Sequence, residues 1–296
     1  MAGHDTQSKA ELLTRLTDRM RESLLPVDQP FDDANLDTAA ELVLDTASSR
    51  TQGEPAVAMA DGGEGKRKLR IAIVNDEPRT SLITVPSNGR IPGLTPEAQA
   101  RRAERRESRS QFAQYDHPEM RPLAERCLTS YGSPAGPPML PNGGYNSNYI
   151  IVQTPDYVMI MTEMVHDTRI IRMGDGPRLP AHIRPWMGDS WGHWEGDVLV
   201  VETTNIHPLQ PYSSADMKVT ERFSRMHEEA ILYEFTVDDP STYTESWGGQ
   251  IPMMAMHDQI YEYACQEGNY SLEGVLSGAR FQETLEAQAL NDSGRD

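Results

Sequence analysis

The run Ala230-Ile-Leu-Tyr-Glu-Phe-Thr-Val237 decides the fold. Ile231, Tyr233, Phe235 and Val237 share one face and Leu232, Glu234 and Thr236 the other, the period-2 pattern of an antiparallel strand with one face on a core. Strand-like runs flank it at 149–154, 157–165, 169–173, 198–204, 219–223, 250–256 and 259–265, of which 157–165 is apolar on both faces. Gln153-Thr154-Pro155-Asp156 and Glu195-Gly196-Asp197 stand between runs at hairpin spacing. No long helical segment intervenes to make parallel crossovers, so the reading is mainly β: an antiparallel lipocalin-like barrel, or a sandwich, built from consecutive hairpins.

Upstream the pattern changes. Ser8 and Glu11 form a capping box, and Leu12, Leu16, Met20 and Leu24 recur every fourth residue until Pro26. A second stripe of Leu36, Ala39, Ala40, Val43 and Ala47 predicts a partner helix, giving an N-terminal helical hairpin over 1–48 whose apolar faces need a surface on the body or on another subunit. Residues 49–67 have the Gly-rich, charged composition of a linker, 68–284 form the core domain, and 285–296 are expected as a flexible tail. Within the core, short strands are expected at 69–74 and 81–85. Thr95-Pro96-Glu97 opens a helix to about Phe112. Its Arg101, Arg102, Arg105, Arg106 and Arg109 are interleaved with Glu97, Glu104 and Glu107, so the segment reads as a solvated helix.

A net charge of −18 from 45 acidic and 27 basic residues repels phosphate backbones and anionic lipid surfaces, so neither nucleic acid nor membrane is expected as a partner. No apolar run approaches the roughly 20 residues of a membrane span. The opening residues carry no basic and apolar leader pattern, which sets a cytoplasmic expectation. Cys127 and Cys265 are too few for a disulfide framework and wrongly spaced for zinc; both are expected reduced and buried, with one long-range disulfide as the alternative for an exported protein.

The unusual residues concentrate in His166-Asp-Thr-Arg169, Ala181-His-Ile-Arg-Pro-Trp-Met-Gly-Asp189 and Trp191-Gly-His-Trp-Glu-Gly-Asp197. Proton transfer at neutral pH wants an imidazole with a carboxylate or arginine to orient it. His193 and Glu195 alternate with Trp194, so both project to one face; if that face is the interior, His193 is the base and Glu195 its orienter. Asp189, His166 and Arg169 complete the catalytic candidates. The plainer reading of His193, a turn histidine bonded to a backbone carbonyl, stands beside this one.

Lining candidates are Tyr149 and Asn146 from the Gly143-Gly144 loop, Tyr157, Met161, His182, Trp186, Trp191 and Glu262. Glu262 points opposite to Tyr261 and Tyr263; inward it is a second acid/base candidate, outward a solvated carboxylate, the ordinary place for Glu. His166, His182 and His193 lack H-x-H, H-x-x-x-H or H-E-x-x-H spacing, so no metal is expected. The absence of G-x-S-x-G, Walker and G-x-G-x-x-G motifs argues against serine hydrolase, P-loop and dinucleotide chemistry, so no cofactor is expected either.

The segments Ile151-Val-Gln-Thr-Pro, Trp186-Met-Gly-Asp-Ser, Gly192-His-Trp-Glu-Gly-Asp-Val-Leu-Val-Val-Glu-Thr, Val219-Thr-Glu-Arg-Phe and Tyr261-Glu-Tyr-Ala-Cys, with Gly89-Arg-Ile-Pro-Gly-Leu-Thr-Pro-Glu-Ala, resemble a large bacterial family of mostly unassigned function. The resemblance covers about residues 79–280 and implies a lipocalin-like β-barrel; it brings no catalytic residues. Its members are commonly exported and carry a Ser-Gly-Val-Trp-like segment that this sequence lacks. The resemblance further implies that Cys127 and Cys265 are a paired feature whose redox state is open.

These readings converge on a cofactor-free acid/base enzyme of isomerase or lyase type, acting on a small apolar or aromatic molecule inside the barrel. A non-catalytic small-molecule-binding protein of lipocalin type is the alternative. A third is an interaction module, a homo-oligomer joined through the N-terminal helices.

Overall fold

Alternating side chains in the C-terminal two-thirds build one mostly antiparallel sheet, so the chain is mainly β. The computed structural model describes residues 40–45, 72–74, 77–79, 81–131, 135–140, 146–210 and 214–293. The strands of the sheet are β1 (Ala40–Asp45), β4 (Ile83–Val85), β5 (Asn148–Gln153), β6 (Tyr157–Thr162), β7 (Thr168–Met173), β8 (Asp189–Glu195), β9 (Val198–Thr204), β10 (Lys218–His227), β11 (Ala230–Asp238) and β12 (Trp247–Ala255). Their order is β1-β5-β6-β7-β8-β9-β10-β11-β12-β4. A separate ribbon pairs β2 (Ala72–Val74) with β3 (Glu77–Arg79). β1 pairs with β5 along its length, and Leu44 and Asp45 also face Ala255 and Met254 of β12.

The deciding run is β11, and its alternation is obeyed on both neighbours: Phe235 faces Glu221 and Gly249, Tyr233 faces Phe223 and Ile251. One face of the sheet therefore collects Tyr149, Val158, Ile160, Ile171, Leu199, Val201, Val219, Phe223, Tyr233, Phe235, Val237, Trp247, Ile251 and Met253 as a continuous buried core. At roughly 1.5–3 kcal/mol for each fully buried large apolar side chain, this face dominates the stability. β8 and β9 are joined by the two residues Gly196-Asp197; Gly196 has φ +61°, and glycine takes that left-handed first position of a tight hairpin at no steric cost. Gly188, at φ +75° just before β8, leaves no room for a Cβ, which would stand 2.7 Å from Thr203 and Ile206.

Several expectations change. β7 and β8 pair in parallel, through a crossover at residues 174–188 that contains no helix. The strand expected over 157–165 ends at Thr162, where Met164–His166 form a tight helical turn with Val165 and His166 at positive φ. Residues 259–265 are not a strand; Tyr263 O meets His166 Nδ1 and Cys265 is bonded to Cys127. The second helix of the N-terminal hairpin is contradicted at 40–45, which are strand β1; the first helix, the linker and the oligomer proposed through them lie outside the described residues. Among the described residues there are two α-helices. α1 (Pro96–Ser110) starts as the sequence predicts, with Thr95 Oγ1 accepting from Ala98 N at 3.1 Å, and buries only Ala98. α2 (Tyr270–Ser293) occupies the region expected as the end of the core and a flexible tail; Asn269 Oδ1 accepts from Leu272 N and caps it.

Candidate functional site

The buried face ends in hairpin turns at one side, and there the core stops short. Ile151 of β5, Val158 and Ile160 of β6, Leu199 of β9, Phe223 of β10 and Ile231 of β11 surround a hollow of about 170 Å³. Its rim carries Gln153, Trp194, Asp197, Ser224 and Arg225. Trp194 is there because β8 alternates: Ser190, Gly192 and Trp194 oppose Thr203, Val201 and Leu199 across the ladder, on the core side. Its indole is 47% exposed, one edge on the hollow and the other in water.

The same alternation corrects the leading catalytic assignment. His193 and Glu195 do share a face, as their spacing requires, but it is the outer one, and their side chains are 54% and 51% exposed. His193 Nε2 stands 3.4 Å from Glu195 Oε1, and Arg222 Nη1 donates to Glu195 Oε2 at 2.8 Å. The hydrogen bonds from Arg222, then from His193, hold the Glu195 carboxyl below its ordinary range. The arrangement is a solvated cross-strand cluster without a cavity. Asp189 is buried on that outer face beneath the 174–188 crossover, where it pairs with Arg172 and accepts from Leu179 N at 2.7 Å. Trp191 lies on the same face, with the Arg172 guanidinium 4.3 Å from its ring centre. Tyr157 and Met161 stand in the outward register of β6. His182 is exposed, and Trp186 stacks on His207 at 4.0 Å. None of these reaches the interior, so they do not form one site.

Two other sequence candidates, Arg169 and Tyr149, lie deep in the core, and Arg169 meets partners there that the sequence did not single out. Arg169 donates from Nη1 and Nη2 to Glu221 Oε2 and Oε1 at 2.6 and 3.0 Å, with 2% and 0% of the two side chains exposed. Tyr233 donates to Glu221 Oε1 at 2.8 Å and accepts from Met139 N at 2.9 Å, which fastens the buried 135–140 segment to the core. Burial, followed by the Glu221 charge, pushes the Tyr233 hydroxyl far up; burial does the same to Tyr149, partly opposed by Arg169. Burial works against charge on Arg169, but Glu221 more than offsets it and keeps the guanidinium ionised. The phenols are hydrogen-bonding groups at neutral pH and not bases, and both oxygens of Glu221 are occupied.

At the opposite end from the hollow, loops are tied across the sheet. Cys127 and Cys265 form a disulfide with Cα atoms 5.8 Å apart, which overturns the expectation of two reduced thiols. His166, exposed, places Nδ1 3.1 Å from Tyr263 O, and Asn269 Nδ2 donates to Glu125 O at 2.8 Å. Asn146 accepts from Met164 N through its carbonyl. Asp167 Oδ2 accepts from Ser130 N at 3.1 Å; burial pushes its carboxyl up to about 6, the hydrogen bonding to Ser130 opposing. A groove of about 670 Å³ opens beside the disulfide between Tyr131, Tyr263, Asn269 and Leu272, and exposed Glu262 borders it. Among the described residues no group of three His, Cys, Asp or Glu side chains is placed to hold a metal ion, and no helix is long and apolar enough to cross a membrane.

Sequence reasoning missed the hollow, Glu221, Tyr233 and Asp167. Glu221 was signalled by its place between Val219 and Phe223 in an apolar register. Comparison with protein-family models, with curated proteins and with solved structures finds no match to this chain.

Proposed function

We propose that this is a small-molecule-binding protein of lipocalin type, with the sheet closed into a barrel through β1 and a small apolar or aromatic molecule held in the hollow at its open end. The observation that carries the reading is the hollow itself: six aliphatic or aromatic side chains from five strands line about 170 Å³ that opens to solvent, and an exposed tryptophan stands at the rim. That volume is close to the roughly 150 Å³ of an apolar cavity that takes up benzene. The pairings of β1 with both β5 and β12 support closure. Titration with indole or toluene, followed by two-dimensional NMR, should give saturable shifts confined to Ile151, Ile160, Leu199, Phe223 and Trp194. Ile160→Phe fills the hollow and should abolish them; shifts that persist unchanged in this variant would show that the molecule binds elsewhere.

A second reading keeps the isomerase or lyase chemistry but moves its base from His193 to Asp167, whose carboxyl burial pushes up to about 6 where it accepts from Ser130 N, next to the groove residue Tyr131. Any turnover of that kind should rise with pH through about 6 and vanish in Asp167→Asn. The Cys127–Cys265 bond supports an oxidising compartment in place of the cytoplasm, because such bonds are rare in reducing ones. Protein alkylated in cells before lysis should show no free thiol.

A further inference from the structure

Two opposite charges stand at the rim of the hollow. Asp197 belongs to the two-residue turn that joins β8 to β9, and Arg225 lies in β10, which is paired to β9 with Phe223 facing Leu199. Arg225 follows Val219, Glu221 and Phe223 in the inward register, and the ladder shifts between Arg225 and His227, a bulge of the kind that re-aims side chains at barrel rims. Among the described residues neither group is in an ion pair; Arg225 gives one bond, from Nη1 to Glu228 O at 3.0 Å. A bound molecule therefore meets an apolar wall, a guanidinium and a carboxylate together.

We infer, on the reading of the hollow as a ligand site, that its ligand is a small zwitterion of apolar α-amino-acid type, the carboxylate on Arg225, the ammonium on Asp197 and the side chain in the hollow. A lone carboxylate would leave Asp197 facing a like charge, and a lone amine would do the same to Arg225. A neutral ring would use neither. A zwitterion satisfies both, since Asp197 stands two residues before Leu199 and Arg225 two residues after Phe223, the last pair of the β9–β10 ladder, and the ammonium and carboxylate of an α-amino acid flank a single carbon. Arg can take the carboxylate through two parallel bonds, which fixes the orientation that sends the side chain inward. The roughly 170 Å³ available accommodates one phenyl ring or a branched aliphatic side chain.

Calorimetric titration of the full chain with L-phenylalanine, hydrocinnamate, phenethylamine and 2-phenylethanol separates these cases. Phenylalanine should bind at least about tenfold more tightly than either singly charged probe, which is about 1.4 kcal/mol. Arg225→Met should bring phenylalanine down to the level of phenethylamine, and Asp197→Asn to that of hydrocinnamate; 2-phenylethanol should be unaffected by either change. Both residues lie at the rim, away from the buried core, so the variants should fold. If 2-phenylethanol binds as tightly as phenylalanine, or either substitution weakens all four probes equally, the zwitterion assignment is overturned while the hollow stands as a ligand site. Absence of binding by all four, together with absence of indole and toluene shifts, would overturn the hollow reading itself.

Discussion

Glu221 is a charged residue enclosed on every side, and its two oxygens receive three donors from Arg169 and Tyr233. A pair this buried owes its stability to completeness: removing one partner leaves an uncompensated charge, at about 3–5 kcal/mol, while a matched apolar replacement of both is close to neutral. Arg169→Met and Glu221→Leu should each lower the urea-unfolding free energy by that amount, and the double variant Arg169→Met/Glu221→Leu should recover most of it. Additive losses in the double variant would mean that the two side chains do not depend on each other. Asp167 poses the converse case. Its folded carboxyl titrates at about 6, above the ordinary value of about 3.9, so the folded state binds the proton more tightly. Protonation therefore adds stability as pH falls from about 7 to 4, on the order of 3 kcal/mol, and the gain is gone above pH 6. Asp167→Asn should remove that slope from unfolding curves measured between pH 4 and 7. Arg169 was legible as a site candidate because it belongs to the His166–Arg169 cluster, and Tyr149 because it follows the Gly143-Gly144 loop, yet their partners were not. A Glu in a strand is normally assigned to water, and the contrary signal, a carboxylate in phase with Val219 and Phe223, is one residue long.

Among the elements, β8 shows why the catalytic assignment failed. Asp189–Glu195 carries aromatic side chains on both faces, Trp191 outward and Trp194 inward, so alternation fixed that His193 and Glu195 travel together but not which side they take. The side was settled by Ser190 and Gly192, small residues that meet Thr203 and Val201 in the core register. β11 had no such ambiguity, and its alternation held from Tyr233 to Val237, although Leu232 is buried on the opposite face and Ile231 is only half-buried. The helix α2 was missed because Leu272, Leu276 and Ala279 make only a short stripe and most of its length is exposed. Its start is fixed by Asn269 and by the disulfide four residues before that, which closes a loop 138 residues long in sequence. In the chain-entropy account a loop of that length is worth about 5 kcal/mol, and removal of native bonds typically costs about 2–5. Cys127→Ser/Cys265→Ser should lose stability in that range. Amide exchange should also speed up first around Tyr263 and Asn269, while β10 and β11 stay protected. Uniform acceleration throughout the sheet would show that the bond does not act locally.

At the scale of the whole molecule, the question that decides the ligand reading is whether the sheet has free edges. Without β1 the sheet would expose the backbone groups of β5, and of β12 beyond its pairing with β4, to any passing strand, and natural proteins avoid that by covering or joining such edges. β1 is placed to join them, since its Leu44 stands opposite Tyr149 on one side and Ala255 on the other. Residues 40–45 read equally well as part of a helical stripe, because six residues fit both a period of 3.6 and a period of 2. The sheet partners that select the strand lie more than a hundred residues away, and no local pattern reports them. Proline at position 44 tests the joint: with a neighbour on both sides, the lost N–H comes out of a ladder whichever way it points. Leu44→Pro should cost about 3 kcal/mol by urea denaturation and, by freeing two edges, produce concentration-dependent association in sedimentation velocity. It should also weaken ligand binding in the hollow, whose wall includes Ile151 of β5. A Leu44→Pro variant with wild-type stability, monomeric and fully able to bind, would mean that β1 closes nothing and that the hollow is one side of an open sheet.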